Sequence, residues 1–143
     1  DRAKEGLHIL MEVTPEGEGY PCATRYRVLA RRDDATLVAL APESGRQHQL
    51  RVHLAALGFP IIGDKLYGPE GVQTFLDYID TGMTADLRYR LGHERQALHA
   101  YQLEFTHPAT AEPTTLHAPL SPDLLELWGG PLSPDTFAPI AAC

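Results

Sequence analysis

The sequence predicts an α+β domain, mainly antiparallel sheet with short flanking helices. Two stretches, Ala23–Leu40 and Ala97–His117, each hold paired short apolar runs on either side of a turn, which is the pattern of an antiparallel hairpin. Helical spacing appears only in short segments, several of them closed by glycine. The content, 43% hydrophobic and 22% charged, is that of a chain able to bury a core, not of a disordered one.

Taken in order, Leu7–Val13 is short and apolar and reads as a strand, and Thr14–Gly19 is a loop rich in breakers. From Ala23 to Ala30, Thr24, Tyr26 and Val28 alternate with arginines. Arg32-Asp33-Asp34 makes a turn, and Thr36–Leu40 returns as the partner strand. A helix is expected between Gly45 and Gly58. Ser44 and Gly45 can start it, Leu50, Leu54 and Leu57 form its apolar stripe, Gly58 supplies a left-handed end, and Pro60 forbids continuation. Val72–Ile79 reads as helix, with Val72, Phe75, Leu76 and Ile79 on one face. Thr84 caps a further short helix, Ala85–Leu91, which Gly92 ends. Ala97–Phe105 alternates as a strand, His107-Pro108 stops it, and Thr114–His117 pairs back. Ser121-Pro122-Asp123 opens a last helix that closes at Gly129, through the order of cap, proline, acid and glycine. The tail from Pro131 is proline-rich and expected to be loose.

The chain of 143 residues is about one domain and contains no apolar run of the roughly 20 residues that a membrane-spanning helix needs. It opens on Asp1 without an initiator methionine, and Leu7–Val13 already reads as mid-domain sequence, so a fragment is expected. Cys22 and Cys143 make neither a disulfide framework nor a metal-ligand pair, which suits a reducing cytoplasm. Twelve basic against 19 acidic residues leave a net charge of −7, which argues against nucleic-acid binding by the whole surface. The charges are unevenly spread, however. Arg25, Arg27, Arg31, Arg32, Arg46 and Arg51 crowd the middle against only Asp33, Asp34 and Glu43, as a local anionic ligand would require.

The helix between Gly45 and Gly58 carries Arg46, Gln47, His48, Gln49, Arg51 and His53 on barely two turns, more planar hydrogen-bonding groups than packing needs. Ser44-Gly45-Arg46-Gln47-His48-Gln49-Leu50-Arg51-Val52-His53-Leu54, followed by Gly63-Asp64-Lys65-Leu66-Tyr67-Gly68, closely resembles the motifs of the RluA-type pseudouridine synthases. Leu98-His99-Ala100 with Phe105-Thr106-His107-Pro108 resembles that family's last core motif, so the resemblance runs from about Ala23 to Trp128. It implies a partial pseudouridine synthase catalytic-domain-like fold: residues 1–130 would be the C-terminal portion of that domain and 131–143 a proline-rich tail.

One part of the pattern is missing. The family's nucleophilic aspartate stands in an upstream histidine-arginine-leucine-aspartate motif, and neither Asp33-Asp34 nor Asp64 has those neighbours. The resemblance therefore implies an RNA pseudouridine synthase, acting on ribosomal or transfer RNA in the cytoplasm, of which this chain alone is inactive. It implies a monomer with no cofactor and no metal. Arg51 would be the catalytic residue, the cation paired with the absent aspartate, since a guanidinium is permanently charged and grips a carboxylate bidentately. Arg46, His48 and Gln49 would contact RNA backbone or a nucleotide flipped from its stack. The Gly63–Gly68 loop lacks the spacing of a phosphate-binding loop and reads as a turn that supports the site.

Two other classes compete. Six histidines from His48 to His117 raise a metal hydrolase, but His48 and His53 are not an i, i+4 pair and no acid completes a site. A synthase-derived RNA-binding domain without catalysis fits the same residues, and the identity of the upstream residue decides between it and an enzyme.

Overall fold

The structure, a computed structural model, describes residues 10–15 and 17–137. Mixed short helices and two separate two-stranded antiparallel sheets make it α+β. The chain divides into two compact units, one formed by Asp1–Gln96 with Ser133–Cys143 and the other by Ala97–Leu132.

In the first unit, β1 (Thr24–Arg31) pairs with β2 (Thr36–Pro42) from Thr24↔Pro42 to Arg31↔Thr36, with an irregularity between Val28 and Ala30. The expected turn closes the hairpin, Arg32 N–H donating to the Ala35 carbonyl at 2.9 Å. The strand expected at Leu7–Val13 falls partly outside the described residues, and its described part, Leu10–Val13, is not in a strand.

Helix α1 is shorter than the sequence suggests, spanning Gln49–Ala56. Ser44 does not cap it. Its hydroxyl instead donates to Gln49 Oε1 at 2.8 Å, and His48 occupies the N-cap position with a left-handed backbone, φ 56°. The other end forms as expected. Gly58 adopts φ 84°, its N–H reaches the Ala55 carbonyl at 3.0 Å, and Phe59 N–H reaches Leu54 at 2.9 Å, a Schellman closure. The stripe of Leu50, Leu54 and Leu57 is not sealed into a core. With Tyr26 and Leu40 it lines an open groove of about 300 Å³, and Val52 is the apolar residue of α1 that is buried.

Beyond α1, Ile61 and Leu66 are buried in the loop before α2 (Val72–Thr81), as are Val72 of that helix and Leu87 and Leu91 of α3 (Ala85–Leu91). The expected face of α2 is only partly realised. Thr74 is buried, whereas Ile79 at its far end is 63% exposed. Thr84 caps α3 as predicted, accepting Leu87 N–H at 3.1 Å, and Gly92 ends it at φ 72°. Arg90 of α3 pairs with Asp77 of α2, with Glu70 in the loop before α2, and with Asp86 one turn back on α3. Of the tail, Pro134–Phe137 forms a 3-10 turn, and residues 138–143 lie outside the described residues.

The second unit holds β3 (Gln102–Thr106), β4 (Pro113–His117) and α4 (Pro122–Trp128). The first of these strands is shorter than the predicted Ala97–Phe105. Its partner offers five residues, Gln102 facing His117, and Pro119 just beyond has no N–H with which to continue a ladder. His107 Nδ1 accepts the N–H groups of Ala109 and Thr110, both at 3.3 Å, which explains why a histidine-proline step turns the chain here.

Candidate functional site

The first turn of α1 is joined to β1 through one amide. Gln49 is 6% exposed, and its Oε1 accepts from Arg46 N–H at 3.1 Å as well as from Ser44. Since that backbone group can only donate, the side-chain orientation is fixed, and Nε2 donates to the Ala23 carbonyl at 2.9 Å and to Thr24 Oγ1 at 3.0 Å. The hydrogen-bonding capacity of the amide is spent inside the protein. Gln49, expected among the RNA contacts, is the joint that sets the helix on the sheet. His53, one turn on, adds to it through Thr24 Oγ1 at 3.0 Å and Cys22 Sγ at 3.2 Å.

That joint presents Arg51 to the Gly63–Gly68 loop. Arg51 Nε and Nη2 each donate to a different oxygen of the Asp64 carboxylate, both at 2.7 Å, and the Asp64 side chain is wholly buried. Asp64 Oδ1 also accepts the N–H groups of Leu66 at 2.9 Å and Tyr67 at 3.0 Å. Burial alone would push the Asp64 pKa up. The Arg51 guanidinium and the two backbone donors outweigh that and hold it below the ordinary carboxylate range. Arg51 shifts the opposite way, raised first by its bond to Asp64, so each partner favours the charged form of the other. The bidentate grip uses one edge of the guanidinium, and Nη1 has no partner among the described residues.

Glycine makes this loop possible at both ends. Gly63 sits at φ 77°, and a Cβ there would lie 1.9 Å from the Arg95 carbonyl oxygen; at Gly68 it would lie 2.5 Å from the Asp64 carbonyl oxygen. Lys65 donates to the Glu94 carbonyl at 2.6 Å, which anchors the loop's middle.

Tyr67 forms the third wall. Its ring lies 4.8 Å under the Arg51 guanidinium and edge-on to His48 at 5.5 Å. Its hydroxyl accepts Met11 N–H at 2.9 Å and lies 2.9 Å from His48 Nδ1. Donation of the phenolic hydrogen to Nδ1 would leave the imidazole proton on Nε2. Burial, then the nearby Arg51, lowers the His48 pKa, so the ring is neutral near pH 7. His48 Nε2 has no partner among the described residues. The arrangement thus gathers Arg51 and His48 in one place, with Arg46 exposed at the loop that leads into it. Asp64 and Tyr67, whose contacts with these residues the motif spacing did not assign, hold the group together.

No three histidine, cysteine or acidic residues among those described converge as a metal-binding group. His99 instead meets the Ala118 carbonyl at 2.9 Å, and His117 meets Gln102 at 3.0 Å. No helix among the described residues is long and apolar enough to cross a membrane.

The profile described as RNA pseudouridylate synthase matches residues 4–56. By sequence, the chain is similar to RNA pseudouridine synthases. It is 40% identical over 119 residues to the ribosomal large subunit pseudouridine synthase D of Vibrio parahaemolyticus, a match covering 82% of this chain and 34% of that protein. It is 41% identical over 118 residues to an uncharacterised RNA pseudouridine synthase of Bacillus subtilis, with the same two coverages of 82% and 34%. The synthase D of Nitrosomonas europaea is 41% identical over 109 residues, covering 76% of this chain and 29% of the relative. The chain therefore spans about a third of the length of the curated relatives it matches.

Proposed function

We propose that this chain is the Arg51-bearing portion, residues 1–130 with a short tail, of an RNA pseudouridine synthase catalytic domain, and that the parent protein isomerises a uridine to pseudouridine. The observation that carries the reading is the Arg51 guanidinium, held on one edge by Asp64 with Nη1 unspent on the other. A cation so fixed can take a second carboxylate without moving, and a carboxylate poised for nucleophilic attack in a desolvated pocket needs such a partner to stay ionised. That attacking carboxylate is not among the motifs of this chain, and the resemblance implies that an upstream segment supplies it.

In the proposed reaction the glycosidic C–N bond of the uridine breaks, the base turns, and a C–C bond to the same sugar carbon replaces it while the C5 proton is lost and a ring nitrogen regains one. The isomerisation is redox-neutral, so it needs no oxidant or reductant, and the resemblance implies neither metal nor cofactor. Arg51 holds the nucleophile charged, His48 Nε2–H offers a neutral donor to the nucleotide, and Arg46 offers charge to backbone phosphate. The Vibrio relative is named for the large ribosomal subunit, which makes large-subunit ribosomal RNA, handled by a monomer in the cytoplasm, the substrate to test before transfer RNA.

The test is pseudouridine formation on transcribed large-subunit RNA by the complete protein, read by carbodiimide modification and primer extension. Product is expected from the complete protein, none from the 143-residue chain alone, and none from Arg51→Lys, which keeps the charge but cannot bridge two carboxylates through one planar fork. RNA binding without any product by the complete protein would make it a binding domain in a synthase's fold. Product from the isolated chain would refute the division of the site.

A further inference from the structure

Tyr20 stands at the end of the Thr14–Gly19 loop with 76% of its surface exposed. The loop is tied so as to present it. Glu18 N–H donates to the Pro15 carbonyl at 3.1 Å, and the Thr14 hydroxyl to the Glu18 carbonyl at 2.9 Å. Pro21 follows, and Gly19 precedes at φ 70°. One face of the Tyr20 ring is covered by the guanidinium of Arg46 at 4.9 Å. Arg46 is itself exposed and makes no ion pair among the described residues, while Arg25, Arg32, Arg51, Arg88 and Arg90 each have a carboxylate. In a chain of 19 acids, a cation left unpaired and spread over an exposed aromatic ring is an arrangement with no internal purpose on view.

We infer that Tyr20 and Arg46 form a stacking platform for an unpaired nucleobase, the base lying on the open face of Tyr20 and the adjoining phosphate on the free fork of Arg46. Both halves suit that ligand. Every base has a π face, so an exposed tyrosine grips single-stranded RNA without reading its sequence, and an arginine stacked on the ring's far side keeps its in-plane N–H groups free for phosphate oxygens. The platform is joined to the catalytic group through a single turn, since the Arg46 N–H is bonded to Gln49, two residues before Arg51. It would therefore hold a nucleotide that flanks the target, while the target itself is turned out toward Arg51. This rests on the reading of the protein as an RNA enzyme and adds a residue that the motif does not contain.

The experiment measures binding of a short single-stranded oligouridylate to the complete protein at several salt concentrations, for wild type, Tyr20→Ala, Tyr20→Phe and Arg46→Ala. Tyr20→Ala is expected to weaken binding about 5- to 150-fold with the salt slope unchanged, and Tyr20→Phe to stay within about twofold of wild type. Arg46→Ala should shallow the slope by about 0.7, one phosphate contact on a single strand. An oligonucleotide carrying 2-aminopurine should lose fluorescence on binding to wild type and to Tyr20→Phe but not to Tyr20→Ala, a readout that a merely unfolded loop would not separate. Wild-type affinity and quenching in Tyr20→Ala, or equal loss in Tyr20→Phe, would overturn the platform and leave the synthase reading untouched. No binding by the wild type at all would overturn the RNA reading beneath it.

Discussion

Replacing Asp64 by asparagine should destabilise the fold through one identifiable contact, and by an amount that depends on pH. The side chain is wholly buried and meets four donors, two on Arg51 and two on the backbone of its own loop. Asparagine keeps the shape but turns one oxygen into a donor. Whichever way the amide is placed, its N–H₂ faces N–H groups of Arg51 or of the Leu66–Tyr67 backbone. The attraction of opposite charges about 4 Å apart is worth roughly 4 kcal/mol at an effective dielectric of 20. Removing one partner of a buried pair costs about 3–5 kcal/mol, and Arg51, which keeps 14% of its side-chain surface, recovers a part through water. A loss of about 2–4 kcal/mol at pH 7 follows, a large fraction of the 5–15 kcal/mol that a domain has to lose.

The same reasoning fixes the pH dependence. Because the folded-state pKa of Asp64 lies below its unfolded value, its contribution is fully present above about pH 4 and is lost as pH falls through the lowered value. Arg51 stays charged throughout. Urea unfolding at a series of pH values is the assay. The gap between wild type and Asp64→Asn should be widest near pH 7, close on acidification below about pH 4, and be partly repaired at pH 7 by the paired change Arg51→Met with Asp64→Leu, which removes both charges. A gap under about 0.5 kcal/mol at pH 7, or one that does not change with pH, would refute the pair as a source of stability.

The remaining predictions concern the parts that hold this pair. Gly63→Ala should cost about 1–3 kcal/mol for its backbone conformation alone, with more from the carbon that must displace the Arg95 carbonyl, and circular dichroism melting reads the loss. Gln49→Ala removes the buried amide that bonds Ser44, Arg46, Ala23 and Thr24 and should cost about 1–3 kcal/mol, whereas Gln47→Ala on the exposed side should change stability by less than about 0.5 kcal/mol in the same urea titration. His48→Gly should be more stable than His48→Ala by about 1 kcal/mol, since both lose the Tyr67 bond but only glycine relaxes at φ 56°; equal stabilities would show that the left-handed residue carries no strain.

Much of this architecture is legible before the structure, and what is legible is local. Thr84 and Gly92 bound α3 as read because a cap and a left-handed terminus are decided within four residues. Gly58 and Phe59 close α1 for the same reason. The start of α1 misleads because Ser44 looks like a cap in sequence, while its hydroxyl is claimed by Gln49, a residue whose side chain is recruited by β1 some 25 positions upstream. The Leu50, Leu54 and Leu57 stripe is a correct helical period, but period says nothing of what covers it, and here it borders an open groove. Gln49, expected among the RNA contacts, shows the same limit of what a sequence displays. Its polarity is visible in the sequence, but the four groups that saturate it are not.

The pairing of Arg51 with Asp64 explains why the two motifs belong together. Read separately, one offers a helix with surplus cations and the other a glycine-bracketed turn of unclear purpose. In space, the turn buries a carboxylate whose ion-pair partner among the described residues is Arg51, and the helix presents Arg51 where it is gripped along one edge. The guanidinium is therefore oriented before any second partner arrives, and no reorganisation is required when one does. The arrangement also changes what substitution at Arg51 can show. From sequence, Arg51→Ala would be expected to abolish catalysis and spare the fold. In the structure it leaves Asp64 buried and uncompensated, so loss of product would follow from lost stability as readily as from lost chemistry. A catalytic role for Arg51 is therefore separable from its structural one only where the Asp64 contact survives, as in Arg51→Lys, and where unfolding of the same variant is measured beside its activity.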